Sequence, residues 1–476
     1  MFSLFTSIQQ FNEKGIAILE SLIEKFLKEP KDMASFVTGV RDTVIRLGLD
    51  IISETITDCN NMLRDSGKRK ASWVVVKTDE KHLLTSIGDV RYEKTLFRNK
   101  STGETRYLLD TILGLSSHER LSEDAEARIL AEAVETSYGK AGEVLLSDSV
   151  SRQTVKNKVH GLMFDKEDEK MPVEKKKVEY LYIDADEDHV ALQHVDEDSR
   201  QNNIIAKLVY VYEGIKVDGK RKQLINPHYF SGVYSGKANE ELWEEVSEYI
   251  ESHYDTERIK AIYINGDGAN WIKAGADKIV GAKRVLDGYH LRQAVNRITS
   301  RILDGQGYKD RILEAIESGS RKKFKKLIGE AVVKNMDGVE KLNQESKYIL
   351  SNWESAVLRT SGTESVVGCS AEGHVSHVLS ERLSSRPMGW SRNGVDKMAH
   401  LRAYYMNNGD MLQLVRASRE KVLENAGKEN IIIDCKKMIN KAASKKSYGK
   451  YIEKFTCSVG LQIKKIAWFR DQIWGL

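Results

Sequence analysis

"IYINGDGANWIK" covers residues 262–273, and whether its Asn-Gly-Asp-Gly core is a hairpin turn or the end of a buried strand decides the fold. Asn-Gly and Asp-Gly pairs populate the positive φ angles of tight turns. The preceding run, "RIKAIYING", is apolar on both faces, as a strand inside a parallel sheet is. Asp267 then stands just past the C-terminal end of that strand, at the edge where open α/β sheets hold ligands. Gly266 and Gly268 beside it let a backbone and a bulky ligand approach closely.

Upstream, "VEYLYIDADEDHVALQ" and "IIAKLVYVYEGIKV" alternate as strands, and "VDGK" supplies a hairpin turn before another short strand. Asn239 caps a helix with Leu242, Trp243, Val246 and Ile250 on one side. Downstream, "KIVGAKRVLD" reads as a strand and Leu291, Ala294, Val295 and Ile298 as the inner face of a helix. Three strands in a meander, then helix, strand, helix, strand and helix, is the order of a ribonuclease-H-like α/β fold. Residues of about 300–365, including "SRKKFKKLIGEAVVK", are helical throughout and read as an all-helical insertion.

The flanks divide into further segments. Residues 1–66 are helical, with stripes such as Leu19, Leu22, Ile23, Phe26 and Leu27. Residues 67–120 have the period of a small antiparallel sheet, through "SWVVVK", "HLLTSIG", "VRYEKTLFRN" and "ETRYLLD". Residues 121–164 carry a helix-turn-helix silhouette: a polar turn at Ser147 to Ser149, then a helix offering Arg152, Gln153, Lys156 and Lys158 to bases and phosphates. Two short helices around a polar turn are common, and packing alone also explains them. "DKEDEKMPVEKKK", 165–177, is a charged linker. The expected architecture is therefore an N-terminal α+β DNA-binding region, an α/β domain over 178–393 and a helical C-terminal region over 394–476.

The order of elements brings three acidic positions together. Asp184, Asp186 and Asp188 share one strand face because side chains alternate; Asp186, mid-strand, is the first choice and Asp184 the second. Asp267 ends the neighbouring strand. In "CSAEGHVSHVLSERLSSRPMGWS", Glu372 lies one turn from Val375 and Ser376 and is expected to point along a buried helix face toward the sheet. Arg382 and Arg386 follow as holders of phosphate oxygens. Such carboxylates suit two divalent cations that stabilise the entering and leaving oxygens of a phosphoryl displacement. His290, opening a helix in "DGYHLRQAV", falls near this site, while His374 and His377 read as surface or DNA-facing rather than as a zinc pair.

Composition narrows the classes. With 41% hydrophobic and 30% charged residues and no apolar run of bilayer length, the 476-residue chain reads as globular, without membrane partners, and as cytoplasmic. The four cysteines are dispersed, against a zinc ribbon or disulfide framework. From Cys435 onward ten Lys or Arg oppose two acidic residues, giving 10 − 2 = +8; interleaved aromatics suit phosphate contact, and a solvated lysine-rich helix explains them equally. "GDGANW" lacks the third glycine of a dinucleotide fingerprint and "GVYSGKA" falls short of a P-loop, so no nucleotide cofactor is expected.

Over nearly its whole length the chain resembles the ISLre group of bacterial insertion-sequence transposases, on "IDADEDHVALQ", "INGDGANWIKAGA", "VLDGYHLRQAV" and above all "GCSAEGHVSHVLSERLSSRPMGWS". It is more widely similar to Mutator-like DDE transposases. The resemblance implies a DDE recombinase that uses Mg2+ or Mn2+ held by Asp186, Asp267 and Glu372, cleaves DNA at transposon ends and joins them to target DNA. It also implies a bacterial protein at the nucleoid when DNA-bound, in a homodimer or higher assembly. A catalytically inactive DNA-binding relative and a structure-specific nuclease of the same fold stay open as alternatives.

Overall fold

The computed structural model describes residues 6–116, 118–146, 149–164, 172–193, 202–219, 221–302, 304–334, 339–386 and 388–425. Most of the expected charged linker, Ser147 and Asp148 of the expected turn, and the basic tail lie outside the described residues. Among the described residues two compact units form: one within 6–129, 142–150 and 415–425, the other within 130–141 and 151–414.

In the first unit, α1 (Thr6–Gln10), α2 (Ile16–Lys28), α3 (Met33–Asp65) and α4 (Gly67–Ser72) precede an antiparallel sheet of β1 (Trp73–Thr85), β2 (Gly88–Asn99) and β3 (Thr105–Tyr107). "ETRYLLD" keeps only three strand residues. Leu108 and Leu109 turn instead into α5 (Leu108–Ile112) and pack with Leu63 and Phe97. Along the chain α6 (Glu123–Glu135) passes from the residues of the first unit to those of the second, to which α7 (Tyr138–Ala141) and α8 (Arg152–His160) belong. Ser151 caps α8 by accepting the Thr154 N–H, replacing one of the bonds a helix start lacks.

The second unit is built on β4 (Tyr180–Ala191), β5 (Asn203–Tyr212), β6 (Gly214–Asp218), β7 (Arg221–Ile225), β8 (His228–Gly232), α9 (Ala238–His253), β9 (Ala261–Gly266), α10 (Asn270–Lys278), β10 (Ala282–Leu286) and α11 (Gly288–Thr299). It is a mixed α/β unit. Its five-stranded sheet has the order β10-β9-β4-β5-β8, with β5 antiparallel to both β4 and β8, and β4, β9 and β10 parallel. The run 204–217, expected as one strand, breaks at Glu213, and β6 pairs with β7 as a separate ribbon.

One sheet face buries Leu181, Ile183, Val209, Ile262 and Ile264 against Leu242, Trp243 and Val246 of α9 and Ile272 of α10. Burying each such side chain contributes about 1.5–3 kcal/mol. α12 (Gly305–Glu317), α13 (Arg321–Lys334), α14 (Val339–Ser351) and α15 (Trp353–Thr360) form the insertion. Phe324, Leu327, Ile349 and Trp353 share a core there with Leu291 and Val295 of α11. The chain continues through α16 (Ala371–Val375), a π-helical turn over Ser376–Ser380, α17 (Glu381–Leu383), α18 (Arg392–Met406) and α19 (Met411–Asn425). No described helix is long and apolar enough to cross a membrane.

Candidate functional site

Alternation along β4 sends Leu181, Ile183 and Ala185 into the core and Asp184, Asp186 and Asp188 to the opposite face. The three acids have different surroundings. Asp184 is fully buried and accepts from four residues: Tyr210 Oη at 2.8 Å, Tyr212 Oη at 3.1 Å, Asn265 Nδ2 at 2.7 Å, and Ser370 through its N–H at 2.8 Å and its Oγ at 3.3 Å. Burial pushes its pKa up against these bonds. These bonds tie β4 to β5, to β9 and to the segment that precedes α16. Asp188 accepts Ser384 Oγ at 2.8 Å. Asp186 takes the N–H of Glu187 at 2.9 Å; burial, and secondarily the charge of Asp267, push its carboxyl up to about 6.

Asp267 faces it by register. β4 and β9 pair in parallel with Asp184 opposite Asn265, so two residues on, Asp186 within β4 is level with Asp267, which follows the end of β9. The Asp267 carboxylate accepts the Ala269 N–H at 2.8 Å, and its backbone carbonyl accepts Tyr348 Oη from α14 at 2.5 Å. The flanking glycines serve the protein's own contacts rather than a ligand's approach. A Cβ on Gly266 would come within 3.0 Å of the Ala185 carbonyl, and Gly268 has φ +88° with a Cβ that would meet Asn352 at 2.6 Å.

Asp287, which the sequence reading passed over, ends β10 and caps α11. Its carboxylate receives the His290 N–H at 3.2 Å and lies 2.8 Å from His290 Nδ1. The bond to Asp287 raises the His290 pKa against burial, with Asp267 and Asp186 adding to the rise. The signal was present in "LDGYH": an Asp three residues before a His at a helix start is a capping residue within reach of the ring.

Asp186, Asp267, Asp287, His290, Cys369 and Glu372 line one cavity of about 170 Å³. Glu372 reaches it from an exposed position in the first turn of α16. The expectation that Glu372 lies on the buried face is corrected: Ala371, Val375, Val378 and Leu379 form that face, and Glu372 is exposed. Among the described residues no three His, Cys, Asp or Glu side chains gather closely enough to enclose a metal ion. Asp186 and Asp267, two hard-oxygen carboxylates with no ion pair among the described residues, do fit one side of a divalent-cation site; Glu372 is at its rim.

The basic candidates separate sharply. Arg382, expected to hold phosphates, is 4% exposed; its Nε donates to the Ala133 carbonyl at 2.9 Å and its guanidinium lies over the rings of Trp390 and Tyr138. Burial lowers its pKa to about 10. The π-helical turn before it rotates the residues that follow, carrying Arg382 inward. Arg386 is exposed, as are Arg152 and Gln153, while Lys156 and Lys158 are half-buried. His374, expected at the surface, packs against Tyr210 with ring centroids 4.6 Å apart; His377 pairs with Glu381 at 3.2 Å on the surface.

These features define a mixed α/β protein with an acidic cavity at the C-terminal edge of its central parallel strands. The chain belongs to UPF0236, an uncharacterised protein family whose profile matches residues 27–421. A UPF0236 protein of Caldanaerobacter subterraneus subsp. tengcongensis, under a name joining eleven designations, is 37% identical over 409 residues, 86% of this chain and 84% of that protein. UPF0236 protein TTE2489 of the same organism is 36% identical over 88% of this chain and 87% of its own. The UPF0236 protein in the vanSb 3'region of Streptococcus gallolyticus is 25% identical, covering 80% and 84%. Among solved structures, the Drosophila P element transposase strand transfer complex is similar at a TM-score of 0.23 and 12% identity, over 65% of this chain and 81% of that chain.

Proposed function

We propose that this protein is a DDE-type DNA transposase of the ISLre kind, with a ribonuclease-H-like catalytic domain over residues 178–393. The observation that carries the reading is the parallel register of β4 and β9, by which Asp186 and Asp267 stand level beside a cavity that Glu372 also lines. The sheet order β10-β9-β4-β5-β8, with β4, β9 and β10 parallel and β5 antiparallel to β4, supports this reading. A relative whose name joins eleven designations in one organism agrees with a sequence that copies itself.

Asp186 and Asp267, with Glu372 from the rim, would hold Mg2+ or Mn2+. When bound, such ions stabilise the charge on the entering and leaving oxygens of phosphoryl transfer. A water oxygen attacks the phosphorus at the element's end, the bond to the 3′ oxygen breaks, and that oxygen leaves as a hydroxyl. The same 3′ oxygen then attacks a target phosphate and displaces the target's own 3′ oxygen, so bonds made and broken balance at each step. His290 stands beside the carboxylates with its Nδ1 engaged with Asp287, a bond that raises its pKa. Arg386 and the α8 side chains Arg152, Gln153, Lys156 and Lys158 contact DNA, and two ends are held by a dimer or larger assembly.

Incubation of the protein with DNA bearing the element's ends and Mg2+ or Mn2+ tests this. Nicking at the ends that disappears in Asp267→Ala, while DNA binding persists, is the expected result. A second reading, a DNA-binding relative that does not cleave, is favoured by the absence of three converging ligands among the described residues; binding without cleavage under any divalent metal would select it.

A further inference from the structure

The helical hairpin of α2 and α3 is strongly amphipathic yet hardly buried. α2 buries none of its residues, and α3 buries none before Asp58. The two helices meet through Phe26 on Phe36, with ring centroids 4.7 Å apart, and through Leu22 over Gly39. These contacts fix the inner face. At about 100° per residue, Ile23 and Leu27 then fall on one flank of α2, and Met33, Val37, Val44 and Ile51 on one flank of α3. In an antiparallel hairpin these two flanks are on the same side. All six side chains are exposed, Leu27 to 69% and Val37 to 56%.

The sequence of this strip says what covers it. Met33, Val37, Val40, Val44, Leu47 and Ile51 recur at intervals of four, three, four, three and four, the repeat by which a helix packs along another helix. Val37, Val44 and Ile51 place one β-branched side chain per heptad along it. A strip of this kind fits a second copy of itself. The charges beside it are balanced, Arg41 on α3 being paired with Asp42 at 2.8 Å, so no uncompensated charge opposes laying the strip on its own copy. Six half-exposed apolar side chains from each of two chains supply on the order of 1,000 Å², at the lower edge of what a stable interface buries.

We infer that two copies of this chain associate by packing the Ile23, Leu27, Met33, Val37 and Val44 faces of their α2–α3 hairpins into a four-helix bundle. The association needs neither DNA nor metal, so it stands or falls separately from the transposase reading.

Light scattering on the full chain, without DNA or divalent metal at micromolar concentration, reads the outcome. The wild type is expected at twice the 54.0 kDa chain mass. Val44→Glu and Val37→Lys are expected at the single-chain mass with unchanged helical circular dichroism. Thr38→Glu, on the opposite flank, keeps the doubled mass. A wild type at the single-chain mass overturns the inference, and so does a Val44→Glu protein of doubled mass. Loss of the doubled mass in Thr38→Glu would assign association to another surface. A single-chain wild type that melts markedly lower as Val44→Glu would show the strip covered from within its own chain, which also overturns it.

Discussion

The carboxylate of Asp184 accepts the backbone N–H of Ser370 at 2.8 Å, joining residues 186 positions apart. Ser370 directly precedes α16, so this bond fixes the helix carrying Glu372 against the strand carrying Asp186. An acid within the DADED run is therefore devoted to geometry.

Asp184→Ala removes the acceptor from the donors of four residues and is expected to lower stability by about 2–4 kcal/mol, read as a fall in the urea midpoint. Asp184→Asn, where folded, should still bind Mn2+. Complete loss of metal binding in a folded Asp184→Asn protein would return that residue to the ligand set.

Asp186 has a pKa near 6 in the fold, against an ordinary value of 3.8. The folded protein thus holds this proton more tightly than the unfolded chain does. Relative to a neutral side chain, stability is intact below about pH 4 and is lost as the pH rises through about 6. Asp186→Asn should therefore stabilise the protein by about 2 kcal/mol at pH 8 and little at pH 4. Mn2+ should raise the melting temperature of the wild type at pH 8 and leave that of Asp186→Asn unchanged. A variant less stable than wild type at pH 8 would contradict the facing-carboxylate picture.

For His290 the direction is the same, although here the protonated form that the fold favours is the charged one. Its bond with Asp287 raises its pKa, so the stability it contributes is fully present below about pH 6.5 and is lost as the pH rises through the raised folded value. Chemical denaturation of His290→Gln should show a larger deficit at pH 6 than at pH 9. An equal deficit at both would mean that the imidazole is not held as a cation.

Arg382 and Arg386 should part company. Arg382→Ala leaves a buried gap between Trp390 and Tyr138 and is expected to cost about 2–4 kcal/mol without altering the salt dependence of DNA binding. Arg386→Ala should leave the melting temperature alone and reduce the slope of log affinity against log salt by about one. Filter binding across a salt series separates them.

The central strands were legible because their side chains carry the environment directly: "AIYING" is apolar on both faces and lies inside the sheet, and the acids of "DADED" alternate with core residues. The positions around Glu372 were harder. Extrapolating a 3.6-residue period from Glu372 through Arg382 fails because Ser376–Ser380 is π-helical, and a wider turn rotates everything after it. Nothing local announces such a turn. Asp184's partners were also out of reach, since Tyr210, Tyr212, Asn265 and Ser370 come from three distant segments and only the assembled sheet brings them to one carboxylate. Tyr348 was missed for the same reason: a tyrosine in a helical insert shows no sign that its hydroxyl ends on Asp267.

That tyrosine makes the insertion a splint. The loop bearing Asp267 is braced from α14, so fraying or proteolytic trimming of the insert would slacken the acidic edge while the strands beneath stayed paired. The acidic edge would lose its order at a lower temperature than the sheet.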